Sequence, residues 1–307
     1  MLQRSKGKAV PYCFGVHMSV AGGLHTGIER AVAAQCDCVQ IFTKNNNQWQ
    51  CPPLTDEAVK LFRDAYQASG LKCAIAHTSY LINVASPDPA MWQKSIDALI
   101  VEWQRAERLG LSGLVMHPGA HLTRTPEEGL AAIVTASRRA ADEVKPKTCR
   151  LLFENTAGQG SCLGWKFSQL GYLLRELDSP QQFGICFDTC HALAAGYDLT
   201  TADGLKSMIA EFESEIGFAN LHAIHINDSK KGCGSRVDRH EHIGLGAIGE
   251  EAFKRFLKAK QFKNVPMFLE TAKEQDEAGV EWDLKNLATL RRLAGTSSEP
   301  ALSPQTN

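Results

Sequence analysis

This sequence predicts a single-domain (β/α)8 TIM barrel, and three observations predict it. Eight short apolar runs recur along its 307 residues. Segments with helical periodicity separate most of them. No Gly/Ser-rich linker or shift in composition divides the chain, so the runs and helices belong to one unit. A doubly wound open sheet is the alternative, because eight parallel strands can also lie side by side without closing.

The runs span residues 12–17, 38–43, 72–77, 113–117, 151–154, 183–188, 221–227 and 265–270. Helical periodicity covers 56–68, 90–109, 126–143, 204–212, 250–259 and 282–293. Thr55 before Asp56-Glu57 marks a helix start, with a capping hydroxyl and acids at the positive end of the helix dipole. Thr125-Pro126-Glu127-Glu128 marks another, with Pro where the first turn leaves an N–H without a partner. Residues 12–295 form the predicted barrel domain, flanked by a frayed extension at 1–11 and a Ser- and Pro-rich tail at 296–307.

Composition narrows the function. The chain carries 33 basic and 34 acidic side chains, a formal net charge of −1, and is 44% hydrophobic and 22% charged. That is enough apolar chain for a large core, and it excludes intrinsic disorder and collagen-like or coiled-coil architecture. Near-neutrality argues against a broad, non-specific polyanion binder but leaves room for a local nucleic-acid site. No apolar run approaches the roughly 18 residues of a membrane span. Ala9-Val10-Pro11-Tyr12-Cys13-Phe14 is too short and Pro-broken for a secretory core, so the expected location is the cytoplasm, away from membranes. The ten cysteines include no Cys-x-x-Cys pair and are read as reduced, small hydrophobes.

Six runs carry a metal-capable residue at or near their end: His77, His117, Glu154, Asp188, His225 and Glu270. Strand side chains alternate, so counting back two finds the neighbour on the same face. Those neighbours are Ile75, Val115, Leu152, Cys186, Ala223 and Phe268, apolar or small as inward barrel positions should be. The intervening Phe153, Ile185, Phe187, Ile224, Ile226, Met267 and Leu269 suit packing beneath helices. In a barrel the C-terminal strand ends converge on one mouth. Six imidazoles and carboxylates meeting there would repel or go unsatisfied unless cations joined them. His191, three residues past Asp188, and the i, i+2 pair Asp238/His240 lie where loops can add them to the set. Imidazole and carboxylate without thiolate suit zinc in open, catalytic form, with manganese and iron as alternatives. Nine ligands are too many for one ion and suit two or three. His25, His121, His222 and His242 read as loop or supporting residues, and His17 ends the first run without a partner motif.

At this point the motifs become specific. His117-Pro-Gly, Glu154-Asn-Thr-Ala-Gly-Gln-Gly160, Asp188-Thr-Cys-His191, His225-Ile-Asn-Asp-Ser-Lys230 and Ser235-Arg-Val-Asp-Arg-His240 closely resemble, in this order, the endonuclease IV family of apurinic/apyrimidinic endonucleases. Ala21-Gly-Gly and Thr43-Lys-Asn extend the resemblance, which runs from about residue 12 to residue 294. It implies a TIM barrel with three zinc ions. His77 and His117 would hold the first, and Glu154 would bridge to the second. Asp188, His225 and Glu270 would complete the second, while His191, Asp238 and His240 would hold the third.

The resemblance further implies incision of DNA on the 5′ side of an abasic sugar, leaving a 3′-hydroxyl and a 5′-deoxyribose phosphate, with trimming of blocked 3′ ends, as part of base excision repair. Glu154 and Glu270 are the expected catalytic carboxylates, serving an in-line attack by metal-activated water without a covalent enzyme intermediate. Three dications outweigh four carboxylates, which gives a near-neutral chain a positive mouth matched to a phosphodiester. Tyr80 and Leu81, just past His77, resemble the family's wedge into the base stack. Lys44, Lys230, Lys231, Arg236 and Arg239 are the expected phosphate contacts. Two positions depart from the pattern. Asn47 stands where family members carry an inserting arginine, and Thr271-Ala272 follows Glu270 where a proline is familiar. The expected partner is duplex DNA with abasic sites or blocked 3′ ends, and the expected state is a monomer. A metal-dependent sugar isomerase or epimerase is one rival, against which the Asp238/His240 pair speaks. A catalytically silent damage binder is another, against which the intact ligand set speaks.

Overall fold

The computed structural model describes residues 12–296. The expected extension at 1–11 and the tail from residue 297 onward lie outside the described residues. Eight parallel strands form the main sheet: β1 Cys13–Met18, β2 Cys38–Phe42, β3 Cys73–His77, β4 Gly113–Met116, β5 Arg150–Glu154, β6 Phe183–Asp188, β7 Leu221–His225 and β10 Pro266–Leu269. Between the last two lies a small antiparallel ribbon, β8 Asp228–Ser229 with β9 His240–Glu241. Each barrel strand pairs with its neighbours in sequence, and β1 pairs with both β2 and β10. The sheet is therefore closed, and the open alternative is set aside. At β1 the strands approach so closely that a Cβ on Gly15 would lie 1.9 Å from the Cys38 carbonyl oxygen, so only glycine fits.

Helices cover the outside: α1 Leu24–Ala33, α2 Asp56–Ser69, α3 Pro89–Leu109, α4 Pro126–Val144, α5 Phe167–Leu177, α6 Thr189–Ala195, α7 Ala202–Glu215, α8 Glu250–Lys258 and α9 Trp282–Ala294. Both sequence-read caps form. The Thr55 side chain accepts from the Ala58 amide, and Thr125 with Glu128 completes a reciprocal capping box. Each such cap contributes about 1 kcal/mol. Helices α1, α5 and α6 are not among the segments named from periodicity, although α1 buries Ile28 and Ala31 and α5 buries Phe167, Leu170 and Leu173 along one face; α6, with 7 residues, is too short for a periodic signal. Among the described residues, no helix is long and apolar enough to cross a membrane.

Two apolar layers result, one on each face of the sheet. Inside the barrel, Cys13, Cys38, Ile75, Val115, Leu152, Cys186, Ala223 and Phe268 form a cluster of their own. Six of these eight are the residues found by counting back two from the polar strand ends. The intervening side chains, among them Phe153, Ile185, Phe187, Ile224, Met267 and Leu269, join the larger cluster beneath the helices. Fully burying one such side chain stabilises by about 1.5–3 kcal/mol. The inner layer matters for what lies above it: it forms a dry, packed base under the polar strand ends.

Candidate metal centre

Alternation carries one inward polar side chain to the C-terminal end of every barrel strand. His77, Glu154, Asp188 and His225 are the last residues of β3, β5, β6 and β7, while His117 and Glu270 follow β4 and β10 by one residue. His17 and Gln40 occupy the same level on β1 and β2. Glu154, Asp188 and His225 are fully buried, and His77 and His191 nearly so. His191 arrives from the first turn of α6, where the Asp188 carboxylate caps the helix by accepting from the His191 amide at 2.7 Å. Asp238 arrives from the loop between β8 and β9, and His240 is the first residue of β9.

These nine residues gather into three sets whose ligand atoms lie within 4.8 Å of one another: His77, His117 and Glu154; Glu154, Asp188, His225 and Glu270; and His191, Asp238 and His240. Glu154 belongs to two of them. In the first set, His77 Nε2 and His117 Nε2 each stand 3.2 Å from Glu154 Oε2. In the second, His225 Nδ1 is 2.9 Å from Glu154 Oε1 and 3.2 Å from Glu270 Oε2. In the third, His191 Nε2 is 3.1 Å from Asp238 Oδ2, and His240 Nε2 is 3.4 Å from Asp238 Oδ1. Ligands about 2.0–2.1 Å from a tetrahedral ion are separated by roughly 3.3 Å, so these spacings fit. His191 Nε2 and His240 Nε2 are nonetheless buried without a hydrogen-bond partner. Atoms this close and this poorly aligned for hydrogen bonding are what a shared cation requires. Cys190 also lies beside Asp188 and His240, but burial pushes its thiol up to about 12 and its Sγ is turned to the Arg239 carbonyl.

The other ring nitrogen of most of these histidines is held by a fixed partner, which chooses the nitrogen left for the centre. His77 Nδ1 faces the Thr78 carbonyl at 2.7 Å, His191 Nδ1 the Asn155 carbonyl at 2.9 Å and His240 Nδ1 the Glu270 carbonyl at 3.2 Å. His225 is reversed, with Nε2 on Gln40 Oε1 at 2.8 Å. Asn155 and Asn227 lock Asp188: Asn155 bonds its backbone on both sides, and Asn227 Nδ2 donates to its carboxylate at 2.8 Å.

Burial alone would raise Glu154, but the His225 and His117 imidazoles outweigh it and hold the carboxyl well below the ordinary range. Glu270, mostly buried, and Asp238, partly exposed, are likewise lowered, Glu270 chiefly by His225 and Asp238 by the His191 imidazole beside it, to about 2. The imidazoles mirror this. Burial disfavours their cations, yet His77, His191 and His225 are all raised by the anions around them. Each carboxylate needs positive charge nearby, which protons supply in the bare chain and metal ions supply in exchange for protons.

Gln40 is the member that sequence reasoning missed. Fully buried, its amide nitrogen stands 2.5 Å from Glu270 Oε1 and 2.8 Å from His17 Nδ1, while its oxygen meets His225. The signal was present, since Gln40 lies two residues above inward-facing Cys38. His17 has found its partner too, with Nδ1 3.3 Å from Glu270 Oε1. The supporting histidines sit outside the centre: His121 bonds the Arg124 carbonyl, His222 lines the opposite end of the barrel, and His242 stacks on Trp282.

Around the mouth, Tyr80 is 58% exposed, its ring 5.2 Å from that of His77 and 6.0 Å from that of His117. Leu81 beside it is half-buried, and Asn47 is exposed on the neighbouring loop. Lys230, Lys231, Arg236 and Arg239 are exposed, Arg236 lying 4.4 Å over the Trp165 ring. Lys44 corrects the expectation. It is buried, paired with Glu102 at 3.3 Å and bonded to the Asn45 and Gln48 carbonyls, so its ammonium is not offered to a phosphate. A cavity of about 360 Å³ opens next to the third set, lined by His117, Gln159, Cys162, His191 and Asp238 among others.

Residues 28–291 match the family described as xylose isomerase-like TIM barrel. A probable endonuclease 4 from Trichlorobacter lovleyi is 46% identical over 279 residues, 91% of this chain and 98% of that protein. The chain belongs to the endonuclease IV family of apurinic/apyrimidinic endonucleases. The crystal structure of endonuclease IV from Thermus thermophilus superposes with a TM-score of 0.81 at 33% identity, covering 93% of this chain and 100% of that one. A D-tagatose 3-epimerase-like protein shares the barrel at a TM-score of 0.70, covering 92% of this chain and 97% of that one. At 17% identity that likeness is one of fold alone. Endonuclease IV proteins and sugar epimerases thus use one barrel, and the sequence relationship places this chain with the DNA-repair endonucleases.

Proposed function

We propose that this chain hydrolyses the DNA phosphodiester 5′ to an abasic site, leaving a 3′-hydroxyl and a 5′-deoxyribose phosphate, and trims blocked 3′ ends. The observation that carries the reading is the meeting of nine imidazole and carboxylate residues in three adjoining sets that share Glu154. Three zinc ions suit this donor set, with manganese or iron able to replace them at some positions. His77 and His117 would hold one, Asp188, His225 and Glu270 a second, with Glu154 between them, and His191, Asp238 and His240 a third. When bound, zinc supplies Lewis acidity toward phosphate oxygens and lowers the pKa of water toward roughly 7.

The chain's own residues do the rest. Gln40 and His17 fix the Glu270 carboxylate, whose lowered pKa keeps it anionic and able to accept a hydrogen bond from the attacking water. Glu154 spans two sets and holds their spacing. The packed layer of Ile75, Val115, Leu152 and Phe268 beneath keeps bulk water from the centre. Tyr80 and Leu81 stand at the rim as the wedge that occupies the gap left by a missing base. Lys230, Arg236 and Arg239 face the backbone phosphates. The substrate is duplex DNA, and the enzyme acts as a cytoplasmic monomer.

A duplex carrying one abasic site tests the reading. Incision on its 5′ side with close to three zinc ions per chain is the expected result. Zinc at or below one per chain would overturn the three-ion assignment. Undiminished incision by both Glu154→Ala and His191→Ala would overturn their roles.

A further inference from the structure

Helix α3 runs along the barrel wall beneath two loops of the mouth, one following β2 and carrying Asn47, the other following β3 and carrying Tyr80 and Leu81. It sends one buried carboxylate between them. Glu102 Oε2 accepts from the Ser79 amide at 3.0 Å, and Glu102 Oε1 stands 3.3 Å from Lys44 Nζ. Both side chains of the ion pair are almost wholly buried. Lys44 in turn donates to the carbonyls of Asn45 and Gln48, which bracket Asn47. Ser79 Oγ crosses to the Asn46 carbonyl. One helical turn along, Arg105 Nε donates to the Thr43 carbonyl at 3.1 Å. Among the described residues, no hydrogen bond joins the Glu102 side chain to any of the nine ligand residues, so the network serves the rim rather than the centre.

A charge pair taken out of water and surrounded by backbone groups is a costly device, weak as a source of stability and strong as a source of geometry. Here the geometry it fixes is that of two separate loops relative to each other. We propose that Glu102 is a positioning residue: with Lys44 it locks the Asn47 loop and the Tyr80–Leu81 loop into one rigid unit, preorganising the wedge for a bent abasic duplex. The inference rests on the proposed DNA-incising function and deepens it. A wedge held in place before contact spares the ordering cost at binding, so its loss should appear in affinity rather than in chemistry.

Removing one partner would strand a buried charge, so the informative variant removes both. In Lys44→Met/Glu102→Gln the amide oxygen still accepts from Ser79 and no charge is left unpaired; the tie through Lys44 to Glu102 and to the Asn45 and Gln48 carbonyls is cut, while Ser79 Oγ keeps its bond to the Asn46 carbonyl. With a duplex holding an abasic analogue beside 2-aminopurine, this variant should raise Kd and KM roughly tenfold and weaken the unstacking fluorescence signal. Its kcat, zinc content and Tm should stay near the parent's. Lys44→Arg, which keeps the charge and the donors, should retain the parent Kd. Unchanged Kd and KM in the double variant would overturn the proposal. A fall in kcat at unchanged KM would also overturn it, as would a Lys44→Arg defect equal to that of the double variant. Tyr80→Ala separates the two layers of argument. If it leaves affinity intact, the wedge reading itself fails and takes this inference with it; if it weakens binding while the double variant does not, only the inference fails.

Discussion

The mouth and the floor of this barrel are built by the same alternation of inward side chains, yet burial has opposite consequences at the two ends. At the floor a pit of about 390 Å³ is lined by Cys13, Cys73, Lys72, Arg150 and His222 among others. Burial pushes the Cys73 thiol up to about 11, and burial with nearby Arg150 lowers His222 to about 4. Both groups are therefore neutral near pH 7. At the mouth, burial is deeper still, but Glu154 is held low while His77, His191 and His225 are held high. Groups without opposite-charge partners escape the desolvation cost by losing charge; groups that face their opposites keep it. A buried cluster kept charged in this way is poor value as a stabiliser, which marks the mouth as the end shaped by function.

The sharpest way to break this contrast is a matched pair of substitutions. Glu154→Gln removes the carboxylate common to two ligand sets and should lower kcat/KM on an abasic duplex by about a thousandfold or more, with bound zinc reduced. Cys73→Ser at the floor changes one half-buried atom far from the centre and should leave incision within about twofold of the parent. Comparable losses in the two variants would erase the distinction between the ends.

Gln40→Leu comes next in expected size. It keeps the volume at the mouth but strips His225 Nε2 of its acceptor and Glu270 of its amide donor. Losing an outer partner of a metal-binding imidazole typically costs about 10–100-fold in metal affinity or activity. Competition with a zinc chelator measures the first and steady-state incision the second. Parent-like values in both would reduce Gln40 to packing.

Why is most of the mouth legible in the amino-acid sequence, and Gln40 and Lys44 not? His77, Glu154, Asp188 and His225 combine two local signals, a strand-ending apolar run and an ionisable side chain, and parity then fixes their face. Gln40 satisfies the parity condition but has no charge to draw attention. Lys44 misleads for the opposite reason. A lysine in a Lys-Asn-Asn-Asn stretch reads as a solvated cation, and the carboxylate that buries it comes from α3, beyond the next strand. In each case the deciding interaction is non-local or chemically quiet. The family motifs supply what local physics cannot, namely the grouping of nine ligands into three sets.

Metal removal should sharpen the contrast through pH. In the metal-free chain the raised pKa values of His77, His191 and His225 give stability that is full below about pH 6.5 and lost as pH rises through those values. The lowered values of Glu154, Glu270 and Asp238 give stability that is full above about pH 4 and lost as pH falls. The mouth cluster by itself therefore contributes most to stability near pH 5–6 and progressively less toward pH 8. Zinc needs neutral imidazoles, so the rise in Tm on adding it should widen over the same interval. Thermal melts at pH 6, 7 and 8 with and without zinc read this directly, and a gap that narrows with pH would contradict the electrostatic account. At the floor, His222 is neutral in the fold but takes up a proton when unfolded, so it favours the fold increasingly from pH 6 to 7, alike with and without zinc, and leaves the zinc-dependent gap unchanged.

The smallest effect concerns the rim, where Asn47 occupies the place of an expected arginine. Its side chain is exposed, on a loop already braced by Lys44, Glu102 and Arg105, so a longer cation can be added without disturbing the core. An arginine there would bring a planar, permanently charged group to the duplex beside Tyr80. Asn47→Arg should lower Kd for an abasic duplex by about threefold to tenfold at moderate salt, with kcat nearly unchanged. One added phosphate contact should also steepen the dependence of log Kd on log salt by close to one. Tighter binding with an unaltered salt slope would mean that the side chain inserts and stacks without meeting a phosphate. No gain at all would mean that the braced loop holds residue 47 out of reach of the duplex, and that Tyr80 and Leu81 carry the wedge without help from this loop.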